Sequence, residues 1–377
     1  MRLYKQDNPD NNGLNNRVKE RVEKMRLNEL KEEFAKTRKK VVGGGKTVYW
    51  GCGNTAEIYW EDYSKDGLHP DYWIDNNELK QQNGYKGYQV YAPSKLLQEA
   101  DEYCIVIFAN VPSSYKAIEK EALSYSERVC SAEALYYCHH QDEVLAVIDR
   151  LDNDHSRDIY ISMLLNRMRG EFNSDELISH RDYFPTYPFT KYSSDEVYVD
   201  LGAFKGDTLE NYMFIKYGIL NKYYAFEPVE ENYNALNIRK ERLVREWAVK
   251  PEQIICEQKG VGKTAGTIEL SWENSVGAGT SLDGQHSQQI PVVTLDEYFS
   301  TEKISVIKAD IEGMEMDMLE GAKQVIRRDR PLLAICIYHK LSDLINIPDF
   351  VYNLEMGYHI DIRCHSEYFA ETVMYAW

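Results

Sequence analysis

Three stretches of this chain place reactive residue types at spacings that can do chemistry. Val197 to Leu201 is a short apolar, β-branched run holding Asp200, and Gly202 and Gly206 bracket the turn after it. Asp207 and Thr208 then open a pattern expected to be helical to Tyr217. Glycines let backbone approach a ligand closely, and a helix start offers unpaired N–H groups. Tyr223 to Phe226 reads as a second strand, ending in Glu227 and Pro228. Glu227 lies 25 positions after Gly202, near the ~20-residue spacing at which an acid meets ribose hydroxyls. One carboxylate has acceptor sites for two hydroxyls.

The third stretch, Ile304 to Glu315, reads as a buried strand that delivers Asp310 and Glu312 to its carboxyl end. Ligands of open α/β sheets bind at that edge. Two close carboxylates raise one another's pKa and serve general-base chemistry, or hold a divalent cation, which nothing in the spacing demands. His339, after the expected strand 332–338, reaches the same edge and is the histidine expected to act as general base. Structural readings stand beside each role: Asp200 as a turn cap, Glu227 as a surface acid, Lys308 with Asp310 as an internal ion pair, and His339 as a capped loop residue.

Together these residues resemble the FkbM-type family of S-adenosylmethionine-dependent methyltransferases. The resemblance runs from about Glu196 to Trp377, and Lys308-Ala309-Asp310-Ile311-Glu312-Gly313-Met314-Glu315 with Leu319-Glu320-Gly321-Ala322 carries most of it. It implies a seven-stranded class I methyltransferase sheet whose last strand runs antiparallel. It also implies S-adenosylmethionine held by Asp200, Gly202, Ala203, Gly206, Asp207, Thr208, Glu227 and Pro228, with Gly260 and Val261 near the adenine. Catalysis would fall to Asp310, His339 and Glu312, and Ser281 lies in a loop expected to contact the acceptor. Phe204 departs from the family, which usually has a small polar residue there, often Asn.

The pattern 46–138 reads as a first Rossmann-like unit. Thr47 to Trp50 is a strand, Gly51-Cys52-Gly53-Asn54-Thr55-Ala56 a glycine turn, and Tyr72 to Asp75 a strand ending in an acid 24 positions after Gly51. That order is the dinucleotide-binding one. Gly51, Gly53, Asn54 and Asp75 are therefore candidates for holding NAD(P) or a sugar nucleotide, and an unliganded docking module fits the pattern equally. Residues 1–45 read as a polar tail followed by an amphipathic helix through Leu14, Val18, Val22, Met25, Leu30 and Phe34, able to pack on the body or on a second copy. Residues 139–195 read as a helical linker or lid, and 196–377 as the methyltransferase domain. The fold class expected is α/β, with two doubly wound units.

The chain of 377 residues carries a formal charge of −17, which argues against nucleic acid as the main partner. Its seven cysteines form no Cys-x-x-Cys pair, and no apolar leader or membrane-length run is present, so a reducing, cytoplasmic setting is expected. The expected activity is methyl transfer to oxygen on a sugar, polysaccharide precursor or related small molecule. The alternatives are an NAD(P)- or nucleotide-sugar enzyme using the first unit, and a non-catalytic assembly protein. No Tyr-x-x-x-Lys pair at the spacing of a short-chain dehydrogenase favours the former.

Overall fold

A computed structural model describes residues 9–98, 102–171, 178–179, 183–185, 187–272, 286–366, 369 and 371–377, with backbone alone for 9–24, 270–272 and 286. Ser281 lies outside the described residues. The chain divides into two compact units, one of Met1–Leu177 with Glu367–Phe369, the other of Ile178–Ser366 with Ala370–Trp377.

In the first unit, helix α1 (Pro9–Val41) precedes strand β1 (Lys46–Trp50), α2 (Asn54–Lys65), β2 (Tyr72–Ile74), α3 (Glu78–Asn83), β3 (Val90–Tyr91), β4 (Tyr103–Ile107), α4 (Pro112–Ala122) and β5 (Val129–Ser131). Helices α5 (Ala132–His139), α6 (Gln141–Arg150) and α7 (Asp154–Arg169) complete it. The sheet order is β3-β2-β1-β4-β5, all parallel. Val48, Trp50, Ile74, Ile105 and Ile107 build its core, as expected of strands covered on both faces. Residues 9–16, expected in a polar tail, are helical. Leu30 and Phe34 are buried, whereas Met25 is 63% exposed and off the stripe. Helix α1 packs on α5 and α7 of its own unit.

The second unit contains β6 (Val197–Leu201), α8 (Asp207–Ile215), β7 (Lys222–Phe226), α9 (Glu230–Trp247), β8 (Ile254–Glu257), β9 (Gly260–Val261), β10 (Gly266–Trp272), β11 (His286–Val293) and α10 (Leu295–Tyr298). There follow β12 (Val306–Ala309), α11 (Glu315–Gly321), α12 (Lys323–Asp329), β13 (Leu332–Cys336), α13 (Asp343–Asn353), β14 (Ile360–Cys364) and β15 (Thr372–Ala376). Seven strands run in the order β14-β15-β13-β12-β6-β7-β8, and only β15 is antiparallel to its neighbours. The order reverses between β6 and β12, so the carboxyl ends of β6, β7, β12 and β13 share one edge around the switch point. Tyr198, Tyr212, Tyr223 and Tyr375 lie in the core, which accounts for part of the tyrosine excess.

Three expectations change. Gly260 and Val261, expected near the adenine just past the strand 253–257, form β9 of a separate three-stranded sheet, β10-β11-β9. The helix expected over 348–356 is α13, which starts at Asp343 and runs through Pro348, because Leu344, Ile347, Pro348 and Val351 share its buried side. The stretch 139–195 is not one linker: α6 and α7 belong to the first unit, while Tyr183, Phe184 and Phe189 enter the core of the second.

If α1 is held by its own unit, Phe34→Ala should cost about 3–5 kcal/mol, the usual range for emptying a buried phenylalanine site. Met25→Ala should stay within about 0.5 kcal/mol. Urea unfolding of both variants checks this, and equal losses would contradict it.

Candidate functional site

The site is built from the bottom by a buried ion pair. Asp200 on β6 and Lys308 on β12 stand opposite in register, with Nζ 2.9 Å from Asp200 Oδ1. Lys308 Nζ also donates to the Gly202 carbonyl at 2.8 Å, and Tyr223 Oη donates to Asp200 Oδ2 at 2.7 Å. Burial pushes the Asp200 carboxyl up, with Lys308 opposing. Coulombic attraction from Asp200 and Asp310 raises Lys308 despite its burial. Asp200, expected among the cofactor contacts, is fully buried and acts on the turn through Lys308.

The turn itself is closed by protein. Gly202 has φ +73°, and a Cβ there would sit 1.8 Å from the Asp310 carbonyl oxygen. Gly206 has φ +83°, and its Cβ would meet Leu236 at 2.8 Å. These glycines serve the approach of backbone to β12 and α9, a need that the sequence reading assigned to the ligand. Ala203 and Thr208 are buried and Asp207 is exposed. Phe204 takes φ +48°, a left-handed backbone that favours Asn and Gly over bulky residues. Its ring is half-buried, with Lys205 Nζ 4.7 Å from the centroid.

Glu227 clamps this turn. Its Oε2 accepts the Phe204 N–H and its Oε1 the Val229 N–H, both at 2.9 Å. It is 4% exposed, and burial pushes its carboxyl up to about 7 against those two N–H groups. Pro228 is half-buried beside it.

At the end of β12, Asp310 Oδ2 accepts from Tyr183 Oη at 2.8 Å, and Oδ1 from Tyr338 Oη at 3.4 Å. Burial would raise the Asp310 carboxyl, but Lys308 and His339 hold it below the usual range. Glu312 has φ +55° and Gly313 φ +92°, so the next turn also runs left-handed. Burial, with Asp310 and Glu315 nearby, raises the Glu312 carboxyl. His339 Nε2 lies 3.5 Å from Asp310 Oδ1 and 3.5 Å from Glu312 Oε2, and Nδ1 lies 3.1 Å from Glu315 Oε1. Burial lowers the imidazole pKa, but these carboxylates outweigh it and push it up to about 9. His339 therefore holds its proton at neutral pH, contrary to what a resting general base requires.

Residues 200–360 match the family described as the methyltransferase FkbM domain. The C-terminal unit carries an FkbM methyltransferase domain. The crystal structure of methyltransferase FkbM from Methylobacillus flagellatus is similar over 95% of this chain and 99% of its own, at 17% identity and a TM-score of 0.54, which shows a shared fold. An rRNA methylase from Streptococcus thermophilus, 16% identical, covers 49% of this chain and 87% of its own at a TM-score of 0.31. A precorrin-6y C5,15-methyltransferase from Geobacter metallireducens, 12% identical, covers 54% and 95% at 0.30. No curated protein matches the chain. Among the described residues no helix is long and apolar enough to cross a membrane.

Lys308, Glu315 and Tyr338 within the FkbM domain, and Tyr183 upstream of it, were missed as site residues. Glu315 lies inside the motif, but its burial is not written in the sequence. Tyr183 reaches Asp310 from 127 positions away. A cleft of about 550 Å³ opens among Lys191, Glu196, Asn221 and Ser305, at the amino ends of the strands and away from this cluster.

In the first unit, Asp75 Oδ2 accepts the Cys52 N–H at 2.7 Å and Oδ1 the Asn77 N–H at 2.8 Å. Gly51 has φ +110°, and a Cβ would meet the Phe108 carbonyl oxygen at 2.8 Å, while Gly53 and Asn54 are exposed. His140 pairs with Asp66 at 2.8 Å.

Lys308→Met should cost about 3–5 kcal/mol by leaving Asp200 buried without its counter-charge, and adding Asp200→Asn should recover part of that loss. Phe204→Asn should gain about 1 kcal/mol by relieving the left-handed strain. Chemical denaturation of the three variants reads both, and a Phe204→Asn protein less stable than its parent would contradict the strain.

Proposed function

We propose that the FkbM domain uses S-adenosylmethionine to methylate a hydroxyl oxygen on a sugar, polysaccharide precursor or related small molecule. The observation carrying this reading is Glu227, fixed at the end of β7 by one backbone N–H on each oxygen. With these two N–H groups and the Asn232 side chain as its protein partners, the carboxylate still has acceptor capacity for ribose hydroxyls, already aimed and already desolvated. Gly202, Ala203, Gly206, Asp207 and Thr208 form the turn and helix start beside the methionine tail, and Pro228 follows Glu227 at the ribose. Gly260 and Val261 are carried as adenine-side candidates by the short connection from β8. When bound, S-adenosylmethionine supplies an electrophilic methyl group.

The acceptor side falls to the carboxyl ends of β12 and β13. Tyr183 and Tyr338 fix Asp310, which with His339 orients the acceptor hydroxyl. Glu312, whose side chain is 42% exposed and 3.5 Å from His339 Nε2, receives the hydroxyl proton. Positioning is the larger part of such a displacement.

The sugar class rests on the first unit, whose parallel sheet and glycine turn fit a sugar-nucleotide or NAD(P) site. Asp75 engages its turn as Glu227 engages the other, and this favours a nucleotide there as a second reading. Under the main reading, such a unit binds a sugar nucleotide in the cytoplasm.

Calorimetry with S-adenosylmethionine tests the site. One molecule should bind per chain, and Glu227→Ala should weaken it about tenfold or more, the loss of one or two charged hydrogen bonds. Binding should tighten as pH rises through about 7, where the Glu227 carboxyl becomes an acceptor on both oxygens. Below that pH a proton occupies one acceptor site. Failure of the intact protein to bind, or a flat pH profile with an unaffected variant, contradicts the reading.

A further inference from the structure

We propose that Asp310, Glu315 and His339 hold a divalent cation at the carboxyl edge of the sheet. One ligand atom from each lies within 4.8 Å of the other two. The His339 side chain is 9% exposed, yet neither ring nitrogen makes a directed hydrogen bond. Glu315 is fully buried, and its Oε2 has no hydrogen-bond partner either. Buried polar atoms are nearly always paired, so the unpartnered Glu315 Oε2, beside an imidazole whose contacts to the carboxylates are ion pairs rather than directed hydrogen bonds, calls for a ligand that takes lone pairs from one ring nitrogen and the neighbouring carboxylates.

Charge points the same way. Asp310, Glu312 and Glu315 all lie within 3.5 Å of the imidazole, and Asp343 is buried behind them with its Oδ2 on the Lys340 N–H. Lys308 is committed to Asp200 and the Gly202 carbonyl. A single imidazolium cannot balance that group of carboxylates. A divalent cation supplies two positive charges among these carboxylates and takes one lone pair from the imidazole. Two carboxylates with one imidazole form an oxygen-rich set, suited to Mn²⁺ or Mg²⁺. Three protein donors leave coordination positions open.

This deepens the proposed function and rests on it for its purpose. The open positions would take acceptor oxygens, which narrows the acceptor to compounds presenting two neighbouring hydroxyls. Glu312 stays outside the cation's own ligands and remains free to take a proton.

The probe is Mn²⁺, added to chelator-stripped full-length protein and followed by electron paramagnetic resonance. The expected result is one bound Mn²⁺ per chain with nitrogen coupling in the echo-modulated spectrum. His339→Gln should remove that coupling, and Glu315→Gln should weaken binding about tenfold or more. No bound Mn²⁺, no nitrogen coupling in the intact protein, or binding unchanged in both variants would overturn the proposal. The spectrum of the intact protein decides the matter even if a variant fails to fold. Calorimetry of the same sample with S-adenosylmethionine separates the two readings: cofactor binding without Mn²⁺ sinks the cation alone, and Mn²⁺ binding without cofactor binding sinks the methyltransferase site alone.

Discussion

The C-terminal unit turns on one ammonium. Lys308 sits in the middle of a parallel sheet, where an unpaired charge would not be tolerated, and the surrounding structure answers it from three sides. Asp200 meets it from the neighbouring strand, the Gly202 carbonyl from the turn, and the Tyr183 ring from the segment upstream, 4.9 Å from centroid to Nζ. The same charge lowers the Asp310 carboxyl two residues further on, just past the end of β12. One buried cation thereby couples the geometry of the glycine turn to the ionisation of the edge carboxylates. The acid at the end of β6 is part of the frame, and the acid at the end of β7 is the one proposed to meet the cofactor.

That second acid illustrates a device found separately in each unit. A carboxylate at the end of the second strand accepts one N–H from the glycine turn and one from two residues ahead of itself, Glu227 with Phe204 and Val229, Asp75 with Cys52 and Asn77. In both cases the carboxylate fixes the shape of the turn. Preorganisation of this kind lowers the ordering cost of binding.

Much of this was legible in the chain. Buried parallel strands are written as β-branched and apolar runs, and glycine turns and terminal acids mark their carboxyl ends. The antiparallel final strand followed from the absence of a helix before it. What the sequence could not carry was contact across distance. Nothing near Tyr183 announces Asp310, and nothing near His140 announces Asp66. The glycines were visible, but their reason was not: Gly202 is required by the Asp310 carbonyl, a neighbour more than a hundred residues away. Phe204 stood out as an odd residue in the turn, and the structure supplies the cause in its left-handed backbone. The helix expected to begin at 348 starts earlier, at Asp343, because burial of one side carries α13 through Pro348.

A crystal structure with S-adenosylhomocysteine tests the central claim most directly. The account predicts both ribose hydroxyls within about 2.6–3.2 Å of the Glu227 carboxylate, with the Phe204 and Val229 N–H bonds retained. A nucleoside seated elsewhere, with Glu227 still enclosed and touching only backbone, would contradict it.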